Sequence, residues 1–138
     1  MKVRIKRLHP DAVVPKYAKA GDAGMDLTAV EMEREWNIVT YKTGLAIEIP
    51  EGHVGLLFPR SSVYKTSMVL SNCVGVIDSG YRGEIMMKFR STESNKAYEV
   101  GDRVGQLIIL PYPQVEFEEV ENLSSTDRGS GGYGSTGS

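Results

Sequence analysis

The stretch that decides the fold is Gly-Val-Ile-Asp-Ser-Gly-Tyr-Arg-Gly, at positions 75–83. Its apolar start predicts a strand that enters a turn, and positions 84–89 predict a strand that leaves it. Asp-Ser-Gly-Tyr between two such runs is typical of a β-hairpin in which Gly80 is free to take a positive φ. A rigid turn here places a carboxylate, Asp78, beside a ring, Tyr81. The carboxylate can serve as a general base and the ring can pack on a flat ligand, although a plain structural turn is the alternative.

Length and charge limit the classes of protein to consider. The chain has 138 residues and a formal net charge of −2, which allows one domain with a sizeable core and argues against a nonspecific nucleic-acid binder. No apolar run approaches the roughly 20 residues that span a bilayer, and the N-terminus lacks the apolar segment of a signal peptide. We therefore expect a cytoplasmic protein with no membrane partner.

Cysteine and histidine are too few for several kinds of site. Cys73 is the only cysteine, so one chain forms no disulfide, and its position beside an apolar strand predicts a buried, inert thiol. His9 and His53 are the only histidines. A tight zinc site and a cysteine nucleophile are both disfavoured, because their usual partners are missing.

Short apolar runs alternate with glycine and proline turns along the whole chain, and about nine to eleven strands are expected. A single helical turn is predicted near positions 62–66, and an edge-like strand at 115–120. The pattern indicates an all-β sandwich or distorted barrel. Without an internal repeat or an earlier boundary, residues 1–123 are expected to form one β domain and residues 124–138 a flexible arm.

Polar residues at two strand ends are candidates for a site. Asp26 lies between apolar neighbours and must face either solvent or a polar site. Arg60, Ser61 and Ser62 follow a predicted strand at the start of the helical turn, where exposed N–H groups and a guanidinium suit phosphate. A serine N-cap beside a solvated arginine is the alternative.

Three further segments carry polar groups. Asn72 presents an amide that suits either a base edge or an ordinary turn, and Gln106 interrupts an apolar strand and needs a partner if buried. Residues 127–138 are rich in glycine and by themselves predict a flexible terminus. Their backbone amides, with Arg128 and Tyr133, can alternatively wrap phosphate oxygens, although no P-loop pattern is present.

Five stretches in this order, positions 20–27, 59–72, 75–87, 103–110 and 128–137, resemble the five motifs of the trimeric deoxyuridine triphosphatases (dUTPases). The third and fifth are the most specific. The resemblance implies a distorted jelly-roll, β-clip-like barrel that assembles as a homotrimer. It also implies three shared active sites, each closed by the extended glycine-rich C-terminal arm of one chain.

The resemblance implies hydrolysis of dUTP to dUMP and pyrophosphate, which limits uracil in DNA and supplies dUMP for dTMP synthesis. Asp78 would activate a water for attack on the α-phosphorus, and Tyr81 would pack on the deoxyribose. Asp26 would reach Mg²⁺ through its water shell. The implied substrate-binding residues are Asn72, Gly75, Val76 and Ile77 for uracil, Arg60, Ser61, Ser62 and Gln106 for phosphates, and Arg128, Tyr133, Gly134, Ser135 and Thr136 from the arm.

The chemistry agrees with these roles. Phosphoanhydride hydrolysis needs alignment, charge neutralisation and a base, and Mg²⁺ held mainly by triphosphate oxygens and water needs few protein ligands. An unpaired buried polar group costs about 1–3 kcal/mol, so a uracil-reading edge would discriminate against cytosine.

Two departures from the motifs leave alternatives open. Ser62 stands where the family usually has glycine, and Tyr133 where phenylalanine is common. Arg-Ser-Ser also occurs in the related dCTP deaminases, but Lys88 stands where those enzymes have a catalytic glutamate. A third possibility is a non-catalytic regulatory protein of the dUTPase fold, with residues 31–36 or 91–96 as the contact surface.

Overall fold

The computed structural model describes residues 1–92 and 96–135. Within them the chain forms ten β-strands and one short 3₁₀ helix (Ser61–Lys65), which confirms the predicted all-β class and the helical turn. The strands are β1 (Arg4–Arg7), β2 (Met25–Thr28), β3 (Glu31–Glu35), β4 (Ile38–Lys42), β5 (Leu45–Glu48), β6 (His53–Phe58), β7 (Met68–Leu70), β8 (Gly75–Ile77), β9 (Met86–Ser91) and β10 (Arg103–Pro111).

Two four-stranded antiparallel sheets form a distorted, jelly-roll-like barrel. One sheet has the order β2-β10-β6-β8 and the other β3-β4-β9-β7, while β1 and β5 form a separate pair. Alternating side chains of both sheets meet in one core, where Leu27, Tyr41, Phe89 and Val104 have no exposed surface. The rings of Tyr41 and Phe89 pack edge to face with centroids 5.7 Å apart.

The chain changes sheets twice between β7 and β9. Strand β8 pairs with β6 in the first sheet, whereas β9 pairs with β4 and β7 in the second. The predicted hairpin between β8 and β9 is therefore wrong. The turn itself exists, because Tyr81 N donates to Asp78 O (3.1 Å), but Gly80 does not adopt a positive φ. Ile85 N then donates to Leu45 O (2.8 Å), so the departing chain follows β5 instead of β8.

Two other expectations are also wrong. Cys73 is exposed rather than buried, and it occupies the left-handed region at φ +62° in the turn between β7 and β8. Residues 115–120 form no strand in the described part of the chain, and their side chains are all exposed. The chain leaves the sheets at Pro111, and residues 112–130 are exposed throughout. The large apolar side chains of Val115, Phe117, Val120 and Leu123 in this segment are at least half exposed in the described structure. Among the described residues, no helix is long and apolar enough to cross a membrane.

Replacing Tyr41 by phenylalanine tests the buried hydrogen bond from Tyr41 Oη to Tyr98 O (2.8 Å). Burial raises the pKa of Tyr41 to about 12. Because the unfolded phenol ionises near pH 10, its contribution to stability is complete below that pH and is lost as the pH rises towards 12. Tyr41→Phe should lower the free energy of unfolding at pH 7 by about 1 kcal/mol and weaken the loss of stability above pH 10.

Urea unfolding at pH 7, 10 and 11 measures both effects. Tyr64→Phe is the matched control, since Tyr64 is 78% exposed, and it should behave as wild type. An unchanged alkaline slope in Tyr41→Phe would contradict the assignment.

Candidate active site

A cavity of about 320 Å³ lies where the chain crosses between the sheets. We call it the crossover cavity. Its size suits a single pyrimidine ring with its sugar, and both apolar and polar groups line it. The lining residues are Leu57, Leu70, Ser71, Asn72, Gly75, Ile77, Tyr81, Glu84, Met86, Met87 and Lys88.

One wall of the crossover cavity is strand β8. It is the terminal strand of its sheet and pairs only with β6 within the described residues, so its other edge keeps backbone N–H and C=O groups available. Gly75 and Ile77 line the cavity, whereas the side chain of Val76 is exposed. Asn72 lies at the rim in the turn before β8. The structure thus brings together the residues predicted to read a base edge.

Tyr81 folds back over the chain at the cavity. Its hydroxyl donates to Glu84 O (3.0 Å), and the ring occupies the space beside Gly83. A Cβ added at Gly83 would collide with Tyr81 Oη and would lie 2.6 Å from Cζ of the same ring. Any side chain at position 83 would have to displace the ring, so glycine is favoured there.

Asp78 lies at the start of the same turn and is exposed. Its carboxylate has no hydrogen-bond or ion-pair partner among residues 1–92 and 96–135. A carboxylate without a protein partner keeps its lone pairs for water, as a general base requires.

A second group of polar side chains surrounds Asp26. Arg60 Nε donates to Asp26 Oδ1 (3.1 Å) and Arg103 Nη1 to Asp26 Oδ2 (2.9 Å). The register of β2 against β10 sets Asp26 opposite Gln106, whose Nε2 donates to Pro59 O (3.0 Å). We call Asp26, Arg60, Arg103 and Gln106 the basic cluster, since two guanidinium groups face one carboxylate.

Two members of the basic cluster, Arg60 and Arg103, line a cavity of about 360 Å³. Ser62, Lys65, Tyr98 and Asp102 also line it. Arg60 Nη1 donates to Ser62 Oγ (3.3 Å). Tyr98 Oη is buried without a hydrogen-bond partner in the described structure, and burial raises its pKa, so the phenol stays protonated. Sequence reasoning missed Arg103 and Tyr98. The sequence does offer a signal for Arg103, because it lies on the same strand as Gln106, which was a predicted site residue.

The C-terminal arm contacts itself in this single chain. Arg128 Nε donates to Gly131 O (3.0 Å), and Ser135 N donates to Gly132 O (3.0 Å). Tyr133 is fully exposed, with φ +52°, and Gly134 beside it is also exposed with a positive φ. Ser61 is exposed at the start of the 3₁₀ helix. The predicted contact through Thr136 lies outside the described residues.

Six of the predicted site residues fall into two groups on one chain. Asn72, Gly75, Ile77 and Tyr81 line the crossover cavity, while Arg60 and Ser62 line the cavity of the basic cluster. In the described part of the chain, no three His, Cys, Asp or Glu side chains converge as a metal site.

Comparison with known proteins decides the family. The dUTPase family model matches residues 11–137. The chain belongs to the dUTPase family. The deoxyuridine 5'-triphosphate nucleotidohydrolase of Acinetobacter baylyi is 42% identical to this dUTPase over 149 aligned positions, covering 99% of both chains.

Solved dUTPase structures share the fold. A mutant dUTPase of Staphylococcus bacteriophage 80alpha with dUpNHpp superposes with a TM-score of 0.86 at 28% identity, over 99% of both chains. A mutant dUTPase from phage phi11 of S. aureus, described with a structural Mg(II) ion, gives 0.75 at 26% identity, over 88% of this chain and 98% of that one. The resemblance seen in the motifs is confirmed, and the chain is a hydrolase of nucleotide metabolism.

Introducing a methyl group at Gly83 should displace the Tyr81 ring. Gly83→Ala removes the bond from Tyr81 Oη to Glu84 O and should lower the free energy of unfolding by about 1 kcal/mol. In a Tyr81→Ala background, Gly83→Ala should lower the free energy of unfolding by less than half as much, because the ring that it would displace is absent. Urea unfolding of the four proteins measures the coupling. Equal costs in both backgrounds would show that the ring does not occupy this space.

Proposed function

We propose that this dUTPase hydrolyses dUTP to dUMP and pyrophosphate, with Asp78 as the general base. One observation carries the assignment of roles: the unpartnered carboxylate of Asp78 shares a tight turn with Tyr81, which lines a pyrimidine-sized cavity beside a free strand edge. The family match and the dUTP analogue bound by the phage 80alpha enzyme support dUTP as the substrate. In the cell this reaction would limit uracil in DNA and supply dUMP for dTMP synthesis.

Uracil enters the crossover cavity in this proposal. The free edge of β8, at Gly75, Val76 and Ile77, offers alternating backbone donors and acceptors, and the Asn72 amide adds one of each. Cytosine reverses the donor and acceptor at the 4-position and N3. It would leave polar groups of the cavity unpaired, at about 1–3 kcal/mol each.

The sugar lies against Tyr81. The ring is held from behind, because its hydroxyl donates to Glu84 O and its edge abuts Gly83. A ring anchored at its far end cannot retreat without losing that bond. An added 2′-hydroxyl on a ribose would press against it, so deoxyribose is preferred.

The triphosphate binds the basic cluster together with Ser61 and Ser62. The guanidinium groups of Arg60 and Arg103 are partly neutralised by Asp26, and one positive charge remains in excess for the polyanion. Gln106 is oriented by its bond to Pro59 O, which leaves its carbonyl oxygen and second N–H free.

Asp26 is the residue that would hold Mg²⁺, through the water shell of the ion. Its two oxygens each accept one guanidinium bond and retain lone pairs for bound water, so this donor set fits an ion held mainly by phosphate oxygens. When bound, Mg²⁺ would neutralise triphosphate charge. The phage phi11 enzyme is described with a structural Mg(II) ion, so a relative of the same fold binds this cation.

The chemical step needs little from the protein beyond positioning. A water oxygen attacks the α-phosphorus, its proton passes to the Asp78 carboxylate, and the bond from the α-phosphorus to the bridging oxygen breaks. Pyrophosphate leaves with that bonding pair, its charge balanced by the arginines.

We propose a homotrimer with shared sites, which the separation of the two groups of residues supports. The crossover cavity and the cavity lined by Arg60 and Arg103 are separate on one chain. In the proposal, each active site therefore combines the crossover cavity of one chain with the arginines of a neighbouring chain. Residues beyond Pro111 carry exposed Val115, Phe117 and Val120 (69%, 94% and 50% exposed). Such a segment gains stability by packing on another subunit.

The proposed domain division is a β domain at residues 1–123 and a lid arm at 124–138. The arm would close over a site built by the other chains. In that closed state Arg128, Ser135 and Thr136 would hold the γ-phosphate, and Tyr133 with Gly134 would cover the uracil. The absence of a disulfide pair in the chain is consistent with the cytoplasm as its location.

Pyrophosphate release from dUTP, dCTP, dTTP and UTP, with and without Mg²⁺, tests the proposed function. Only dUTP with Mg²⁺ should be turned over rapidly. Asp78→Asn should lower kcat about 10²- to 10⁴-fold while dUTP binding persists, because the general base is lost and the cavity is intact. Asp11→Asn, at an exposed carboxylate away from the cavity, is the control and should match wild type.

Ammonia release from dCTP would instead support a deaminase, and full activity in Asp78→Asn would remove that residue from the mechanism. The deaminase alternative is weakened by Lys88, a cation that lines the crossover cavity and cannot act as the glutamate proton shuttle.

Deleting residues 128–138 tests the arm. The truncated chain should remain trimeric and lose most dUTP turnover, because it lacks the groups that close the site. Sedimentation and pyrophosphate release measure the two properties. Normal turnover by a truncated trimer would show that the arm is not a lid.

A further inference from the structure

Arg82 bridges the turn that carries Asp78 and Tyr81. Its Nη1 donates to Ser79 O (2.7 Å) and to Tyr81 O (3.0 Å). These are charge-assisted hydrogen bonds from one nitrogen to two carbonyls on either side of Gly80. The guanidinium therefore holds the second half of the turn in one conformation.

The other end of the guanidinium faces strand β5. Arg82 Nη2 lies 3.5 Å from Glu48 Oε1, and the same carboxylate is hydrogen bonded by Arg4 Nη2 of β1. Glu48 is the last residue of β5 and pairs with Arg4 in the sheet register. The turn is thereby connected to the β1–β5 pair through Glu48, which is held from two sides.

The turn has few other restraints. Strands β8 and β9 belong to different sheets, so no hairpin ladder closes it, and its internal backbone bond is Tyr81 N to Asp78 O (3.1 Å). At its apex, Gly80 has open space where a Cβ would be. A glycine apex without neighbours allows the backbone to move unless something bridges it.

We propose that Arg82 is a positioning residue, held by Glu48, that fixes the Asp78 carboxylate and the Tyr81 ring relative to the crossover cavity. This inference rests on the proposed function, in which Asp78 is the base and Tyr81 excludes ribose. Neither Arg82 nor Glu48 touches the substrate in it.

The physical signature of this role is a loss of rate without a matching loss of stability. The side chains of Arg82 and Glu48 are 57% and 32% exposed, and ion pairs at such positions contribute little to folding. A misplacement of about 1 Å at a catalytic group, in contrast, can lower the rate about 100-fold. A purely structural role would change both quantities together.

The experiment compares Arg82→Gln, Arg82→Lys, Glu48→Gln and the double variant Arg82→Gln/Glu48→Gln, in the full-length protein. We expect kcat for dUTP to fall about 10- to 100-fold in Arg82→Gln, with KM changed less and the preference for dUTP over UTP reduced. Arg82→Lys should have a higher kcat than Arg82→Gln, because a lysine can still pair with Glu48. Its kcat should stay below wild type, because one ammonium group cannot make all the contacts of the guanidinium group. Glu48→Gln should lower kcat less than Arg82→Gln does. The double variant should lower kcat no more than Arg82→Gln alone, because the two residues act through one contact.

Arg7→Gln is the matched control. Arg7 also lies on the β1–β5 pair, is exposed, and has no hydrogen-bond or ion-pair partner among the described residues, so this variant should keep wild-type kcat and selectivity. Thermal unfolding of every variant shows whether rate and stability separate.

The inference is overturned if Arg82→Gln retains kcat within twofold and its selectivity for dUTP, or if losses in the double variant are additive. Should Arg82→Gln not fold, a wild-type kcat in Glu48→Gln would overturn it equally. Failure of the proposed function gives a different result, since wild type itself would then release no pyrophosphate from dUTP.

Discussion

Strand β8 is bonded to β6 along one edge and presents its other edge to the crossover cavity. The rest of the site depends on this unpaired edge. In most sheets a free edge is a liability, because its N–H and C=O groups can recruit another strand. Here the strand is only three residues long. Such a short edge offers few groups to another strand, but it is long enough to pair with one flat heterocycle.

The crossing of the chain has a second consequence. Because β9 joins the second sheet, the turn after β8 projects from the barrel instead of closing a hairpin. Asp78 is left exposed and unpartnered within the described chain, and the Tyr81 ring is folded over Gly83. The local backbone is held mainly by Arg82 and one turn bond. The exposed carboxylate of Asp78, the proposed base, is thus positioned by side-chain contacts more than by a strand ladder.

The charged groups around Asp26, unlike Asp78, are paired with one another. Asp26 is paired with two arginines, and the cavity that these arginines line also contains Lys65 and one further carboxylate, Asp102. One carboxylate orients two guanidinium groups that would otherwise repel each other. A paired cluster remains ordered in the free protein, so less ordering is needed when a polyanion binds. The proposed base is left without a partner among the described residues, while the groups proposed to bind phosphate are already paired.

Sequence reasoning succeeded where the signal was local. Alternation of apolar residues and glycine-proline turns predicted an all-β chain, and the Arg-Ser-Ser segment predicted the helical turn that forms at Ser61–Lys65. It failed at the β8–β9 hairpin, because two strands joined by a good turn can each find a better partner elsewhere. Ile85 bonds to Leu45 and β8 to β6, and neither partner is adjacent in the chain. It failed for Cys73 as well, since an apolar neighbour does not show which way a turn residue faces.

The sequence alone determined the strand-forming segments, the turn residues and, through five short motifs, the family, because each of these depends on residues close together in the chain. The tertiary structure decided the pairing of β8 and the two groups of site residues. It also decided the contacts of Asp26 and Arg82, whose partners Arg103 and Glu48 lie far away in sequence. Such contacts arise when distant segments pack around one core, and no local pattern encodes which of several compatible partners a side chain will meet.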